Sequence, residues 1–168
     1  MNKLWDAGNM NTGGICRRWC CDWISRCKAG QVITSRYDLN SAHANTNRGV
    51  AGNAAVVTSY GLVQMRTTTN TNPPIGVNWI ATELTRGTGY FLFAVRGRTL
   101  NLHVDPATYE NEGHAMATRK GLGSLQFFDP NEGLLEFDNS LEFYQYIPNY
   151  ISTNYPDLLS KEAEVHLF

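Results

Sequence analysis

The pattern of apolar residues changes character at Gly89, and that change restricts the architectures open to the chain. Beyond it, Tyr90-Phe91-Leu92-Phe93-Ala94-Val95 is a short run with the aromatic and aliphatic bias of a strand. Leu100 to Val104, His114 to Thr118, Ser124 to Phe128 and Leu134 to Phe137 read as further short strands, with Pro130-Asn131-Glu132-Gly133 as a turn between the last two. Before Gly89 the period is helical. Ile15, Trp19, Trp23 and Ile24 form one apolar stripe, and Gly30 follows a basic last turn at Lys28-Ala29 to close that helix. Leu39 to Gln64 fits one or two further helices, and Ile80 to Leu84 a third short one. Thr67 to Pro74 reads as a polar loop or turn. Residues 139 to 152 read as a closing helix and Glu164 to Phe168 as an added edge strand. Helices first and an antiparallel sheet second is α+β organisation, with the N-terminal helical part packed on the C-terminal sheet.

A chain of 168 residues that is 42% hydrophobic and 17% charged is expected to form one domain, residues 1–168, around a substantial core. The formal net charge of −1 supplies no general field for DNA, RNA or an anionic membrane. Arg17-Arg18, Arg96 to Arg98 and Arg119-Lys120 are short basic clusters of the kind a solvated surface carries. No stretch approaches the roughly 18–20 apolar residues of a membrane span. Met1 to Gly8 lacks the apolar centre of a secretory signal, so the chain is expected either to act in a cytosol or to be a domain of a longer polypeptide.

All four cysteines, Cys16, Cys20, Cys21 and Cys27, lie between positions 16 and 27. Such a cluster cannot staple distant parts of a chain as disulfides do. Structural zinc sites usually draw two ligand pairs from separated segments, and no second pair accompanies this one, so no metal is expected. Cys20, Cys21 and Cys27 are read as small apolar residues of a buried helix.

Cys16 is different because it stands at the start of the helix, one residue after Gly13-Gly14. Backbone N–H groups and the positive end of the helix dipole stabilise a thiolate there, and the glycines leave room for a substrate carbonyl. His114, in Gly113-His114-Ala115-Met116-Ala117, opens a strand among small residues. Asp129 ends the apolar run Leu125-Gln126-Phe127-Phe128 just before Pro130. Neighbouring strands carrying His114 and Asp129 are expected to let the carboxylate accept the Nδ1 proton, leaving Nε2 to face the thiol. The order of cysteine, a long gap, histidine and then an acidic residue is that of papain-like enzymes. His43, His103 and His166 have no partnered motif and are read as structural or surface residues. No phosphate-cradling glycine motif is present, and Glu132 and Glu136 do not form the carboxylate pair of a glycosidase.

Three blocks carry a family resemblance. Gly14-Ile15-Cys16 with Trp23-Ile24, then Gly113-His114-Ala115-Met116-Ala117, then Phe127-Phe128-Asp129-Pro130-Asn131-Glu132-Gly133 resemble the motifs of the YopT-like cysteine proteases, bacterial effectors with a papain-like fold. Residues 28–88 match nothing in that family. The resemblance implies Cys16 as nucleophile, His114 as base and Asp129 as the third member of a triad, with no cofactor. It also implies an oxyanion-hole side chain shortly before the nucleophile, for which Asn11 is the candidate and Asn9 the competitor. Small residues commonly follow the nucleophile in that family, whereas Arg17-Arg18 follow it here, which bears on substrate preference.

The resulting expectation is a cysteine endopeptidase, secreted by a bacterium, that cleaves a protein in the cytosol of a target cell. A cognate inhibitor or immunity protein is expected if the target is bacterial. A deamidase, transglutaminase or peptidoglycan amidase would use the same triad, and a binding module with a vestigial triad is the non-enzymatic alternative.

Overall fold

The computed structural model describes residues 1–8, 10, 15–40, 53–101, 108–121 and 123–168, with the backbone alone at 53, 98–101 and 108–112. Its elements in chain order are β1 (Asn2–Asp6), α1 (Cys16–Lys28), a 3₁₀ turn (Arg36–Asp38), α2 (Asn53–Ser59), β2 (Arg66–Asn70) and α3 (Val77–Thr85). There follow β3 (Gly89–Asn101), β4 (Thr108–Gly121), β5 (Ser124–Asp129), β6 (Gly133–Glu136), α4 (Ser140–Asn154), a second 3₁₀ turn (Pro156–Ser160) and β7 (Glu162–Leu167). The described strands make one seven-stranded sheet in the order β1-β6-β5-β4-β3-β7-β2, antiparallel at every pairing.

Helices cover both faces of this sheet, which explains why β3 reads as an unbroken apolar run rather than an alternating one. Leu92 and Ala94 join Ala115, Ala117 and Phe128 against the α1 side chains Trp19, Cys20, Trp23 and Ile24. Phe91, Phe93 and Val95 face the other way, with Met116 and Phe127, onto α3 and α4 through Ile80, Leu84, Phe143, Ile147 and Ile151. The two-residue repeat of a strand assigns alternate side chains to the two cores. Trp23, stacked on Phe128 with centroids 5.6 Å apart, is fully buried and fixes α1 on the sheet. The α+β class expected from the sequence, a helix from the N-terminal part packed on an antiparallel sheet, is the architecture observed.

Three local expectations need correction. Thr67 to Asn70 is not loop but part of β2, which pairs with β7 as Thr68 with Val165 and Thr69 with Glu164. Successive β-branched threonines favour extended backbone, and their hydroxyls suit a sheet edge that faces water. β7 in turn is not an edge strand. It lies between β3 and β2, with Val165 opposite Phe93 and Leu167 opposite Phe91, because its apolar residues need neighbours on both sides.

The third correction is β1, which has no counterpart among the expected elements. Its two apolar residues are too few to announce a strand, yet Trp5 pairs with Leu134 and packs on Phe128 at 5.5 Å. The close approach of β1 depends on Gly133. That residue has φ +116°, and a Cβ there would sit 2.1 Å from the Trp5 carbonyl oxygen. Of the expected Leu100 to Val104 strand, residues 100 and 101 end β3 and the remainder lies outside the described residues.

Candidate active site

Strand β4 runs past the end of its neighbour, and the candidate site forms at that step. The β4–β5 pairing closes at Ala117 opposite Phe128, so Asp129 stands one position beyond it and His114 three residues further along β4. Ala115 and Ala117 face α1, so the strand repeat turns His114 to the α4 side, together with Met116. Asp129 shares the side of Phe127 for the same reason. Cys16 arrives from the opposite face, at the first residue of α1, and meets the imidazole where β4 has no β5 neighbour to intervene. Cys20, one turn along α1, donates its thiol to the Ala115 carbonyl at 3.3 Å and holds the helix end against β4.

His114 Nε2 lies 2.8 Å from Asp129 Oδ1. With Nε2 engaged by Asp129, Nδ1 is the ring nitrogen left for Cys16, the reverse of the nitrogen assignment expected from the sequence. The reason is reach. Asp129 sits diagonally across the sheet and only the outer nitrogen extends that far, whereas Nδ1 stays close to the backbone, where a thiol from the other face can meet it. A carboxylate only accepts, so Nε2 carries the proton of that bond and Nδ1 is free to take one from the thiol.

Asp129 is fully buried and saturated with donors. Oδ1 also accepts from the Asn131 backbone N–H at 2.7 Å, and Oδ2 accepts from the Tyr150 and Tyr155 hydroxyls at 2.8 and 2.9 Å. Such a set fixes the carboxylate's rotation as well as its position.

The electrostatics follow. Burial pushes the Cys16 thiol up, but the His114 hydrogen bond and charge, with backbone N–H groups of Ala115 and Arg17, outweigh it and hold the thiol below its ordinary value. For His114 burial acts downward, and the hydrogen bonds and charges of Asp129 and Cys16 raise it to about 9. An imidazolium beside a thiolate is the arrangement these directions favour. The other cysteines go the opposite way, all through burial: Cys20 well above its ordinary value, Cys21 to about 12 and Cys27 to about 11. All four are free thiols. Among the described residues no three His, Cys, Asp or Glu side chains converge as a metal site would require.

The N-terminus of α1 completes the chemistry. Ile15 precedes it and offers no side-chain cap; its carbonyl takes the Arg18 N–H at 3.0 Å, and the Arg17 N–H is the first-turn donor that acts on an anion at Cys16. A carbonyl bound against the Cys16 thiolate could place its developing negative charge on that donor. Asn11 and its competitor Asn9, the oxyanion-hole candidates, lie outside the described residues, as do His43 and His103.

Arg17 turns away from the thiol. Its guanidinium donates to Glu164 at 3.0 Å and stands 3.4 Å from His166 Nε2, while His166 Nδ1 meets Gln64 and Thr67 at 2.9 and 3.0 Å. Arg17 thus ties α1 to β7, and His166 is buried between it and Thr67 of β2. Glu132 and Glu136 stand apart, bonded to Lys3 and Gln126.

Tyr150 and Tyr155 were not among the sequence candidates. The signal was the tyrosine-rich end of the closing helix, where Tyr144, Tyr146, Tyr150 and Tyr155 crowd within twelve positions. A buried phenol needs a hydrogen-bond partner, and a carboxylate placed by another strand is such a partner.

No protein-family model matches this chain, and no curated protein matches its sequence. Its fold, however, is shared with a solved structure, that of the Pseudomonas avirulence protein AvrPphB. The two superpose with a TM-score of 0.61 over 95% of this chain and 94% of that one, at 14% sequence identity. Similarity at that identity is a statement about the fold.

Proposed function

We propose that this protein is a cysteine endopeptidase in which Cys16 attacks a peptide carbonyl, His114 relays the proton and Asp129 orients His114. The observation that carries this reading is the thiol at the first residue of α1, beside a histidine whose Nε2 is held by a buried carboxylate. The thiolate adds to the carbonyl carbon and the charge on oxygen is met by the first N–H groups of α1. The imidazolium then gives its proton to the leaving amine as the C–N bond breaks. Water, deprotonated by the neutral His114, adds to the thioester and releases the acid, restoring the thiol. Asn11 is the proposed additional oxyanion donor.

The YopT-like sequence blocks and the fold shared with a Pseudomonas avirulence protein support a bacterial effector acting on a protein inside a target cell. No described helix is long and apolar enough to cross a membrane. A cognate inhibitor belongs to this reading if the target is bacterial.

The test is a search for new protein N-termini by mass spectrometry in target-cell extracts treated with wild type or Cys16→Ala. Termini that appear with wild type alone are expected. Side-chain mass changes of about one dalton without cleavage, the signature of amide-to-acid conversion, would instead assign the same residues to a deamidase.

A further inference from the structure

Tyr155 makes two contacts at the site that the reaction above does not use. Its ring lies over the His114 imidazole, with centroids 4.5 Å apart and planes 24° from parallel. Its hydroxyl donates to Asp129 Oδ2 at 2.9 Å, and its oxygen accepts from Asn131 Nδ2 at 2.8 Å, which directs the phenol's proton toward the carboxylate. Tyr155 itself caps the end of α4 and leads into the second 3₁₀ turn, so its backbone is held by the α4-side core. Tyr150 supports it with an edge-on ring contact at 6.0 Å and the second hydrogen bond to Oδ2.

We propose that Tyr155 is a positioning residue of the thiol hydrolase, stabilising the protonated imidazole through its ring, while Tyr150 and the Asn131 N–H suffice to hold Asp129. The proposal rests on the reading given above for Cys16 and His114. An aromatic face attracts a cation far more than a neutral ring, so the contact acts selectively on states in which His114 holds the extra proton. Those states are the resting ion pair and the step that protonates the leaving amine. The ring also excludes water from one side of the imidazole, which preserves the low-dielectric setting of its bond to Asp129. The titratable groups facing His114 from the packed elements are Cys16 of α1, Asp129 of β5 and Tyr155. None of them substitutes for the tyrosine ring over the imidazole face.

The reactivity of Cys16 then has two separate transitions. Formation of thiolate beside an imidazolium begins and ends with His114 protonated, so the ring contact leaves that acid-side transition in place. Loss of the imidazolium proton on the alkaline side removes the cation, so the ring contact opposes it. The experiment is the pH profile of Cys16 alkylation by iodoacetamide, resolved by peptide mass spectrometry, in wild type, Tyr155→Phe and a variant with trifluorinated phenylalanine at position 155. The last two have nearly the same shape, and fluorination weakens the attraction of the ring for a cation.

Tyr155→Phe is expected to keep the wild-type alkaline transition. The fluorinated variant is expected to move it down by about one pH unit while the acid-side transition stays. Coincident profiles for the two phenylalanine variants would overturn the proposal, as would equal displacement of both transitions. The underlying assignment is tested in the same experiment. If wild-type Cys16 reacts no faster than Cys27, or if His114→Ala leaves its rate unchanged, the ion pair itself is refuted.

Discussion

His114 presents its outer nitrogen, Nε2, to Asp129 at 2.8 Å and leaves Nδ1 to Cys16. A histidine in the middle of β4, just beyond the end of the β4–β5 pairing, is thereby held between a carboxylate on its own side of the sheet and a thiol from the other. The geometry makes one oxygen of one buried residue responsible for the orientation of the imidazole.

Removing that oxygen has a calculable direction. Asp129→Ala deprives His114, the Asn131 N–H and two phenols of their acceptor, and is expected to lower kcat/KM by about 10²- to 10⁴-fold. The unmet buried donors should also lower stability by roughly 1–3 kcal/mol. Asp129→Asn retains a carbonyl oxygen for Nε2 and is expected to fall between alanine and wild type. Steady-state kinetics with thermal melts checks this, and equal loss in the two variants would contradict orientation through the oxygen.

The pH dependence follows from the directions at the pair. Cys16 titrates below its ordinary value, so the thiolate–imidazolium pair forms as pH rises through that lowered point. His114 is raised to about 9, so the pair is lost as pH rises through about 9. These transitions belong to the two groups jointly. A bell-shaped profile of kcat/KM with an alkaline limb near 9 is expected; an alkaline limb near the ordinary imidazole value of 6.5 would contradict it.

The sequence made the residues of this pair legible and hid their geometry. Cys16 stood out because it combined a helix start with two preceding glycines, and Asp129 because it ended an apolar run before Pro130. Which imidazole nitrogen faced which partner depended on the one-step offset between β4 and β5, and no spacing along the chain encodes that. β3 declared itself as a strand through six consecutive apolar residues, Tyr90 to Val95. Thr67-Thr68-Thr69 did not, because a polar edge strand and a polar loop have similar composition and only the partner β7 distinguishes them. Tyr155 was hidden for a related reason: its role exists only once α4 lies beneath the His114 side of the sheet.

Glu164 links α1 to the sheet. Its carboxyl is held down to about 2 by the hydrogen bond from His166 and by Arg17, against the upward pull of burial. A depressed carboxyl contributes stability above its unfolded value of 4.5, and that contribution is lost as pH falls through about 2. Glu164→Gln is therefore expected to destabilise the protein at neutral pH by about 1 kcal/mol after allowance for solvent screening. Urea unfolding of both proteins across pH should show the difference closing between 4.5 and 2. A difference that persists unchanged through that window would place the effect elsewhere.

Gly97 couples the far part of β3 to the site. A Cβ there would stand 1.9 Å from the Asp157 carbonyl oxygen and 2.6 Å from Leu158 Cα, both backbone atoms of the turn that follows Tyr155. Gly97→Ala is expected to cost roughly 1–3 kcal/mol and to slow Cys16 alkylation by displacing Tyr155 from His114. Gly76→Ala, whose added methyl meets nothing within 4 Å, is the control. Chemical denaturation and alkylation rates decide the matter, and an unaffected rate in a destabilised Gly97→Ala would separate the turn from the site.

In the proposed site His114 activates Cys16 and none of the other cysteines. Alkylation by iodoacetamide at neutral pH, mapped by peptide mass spectrometry on wild type and His114→Ala, tests it directly. Selective modification of Cys16 over Cys20, Cys21 and Cys27, lost in His114→Ala, is the predicted result. Equal labelling of Cys16 and Cys27, or labelling of Cys16 that survives the loss of His114, would contradict it.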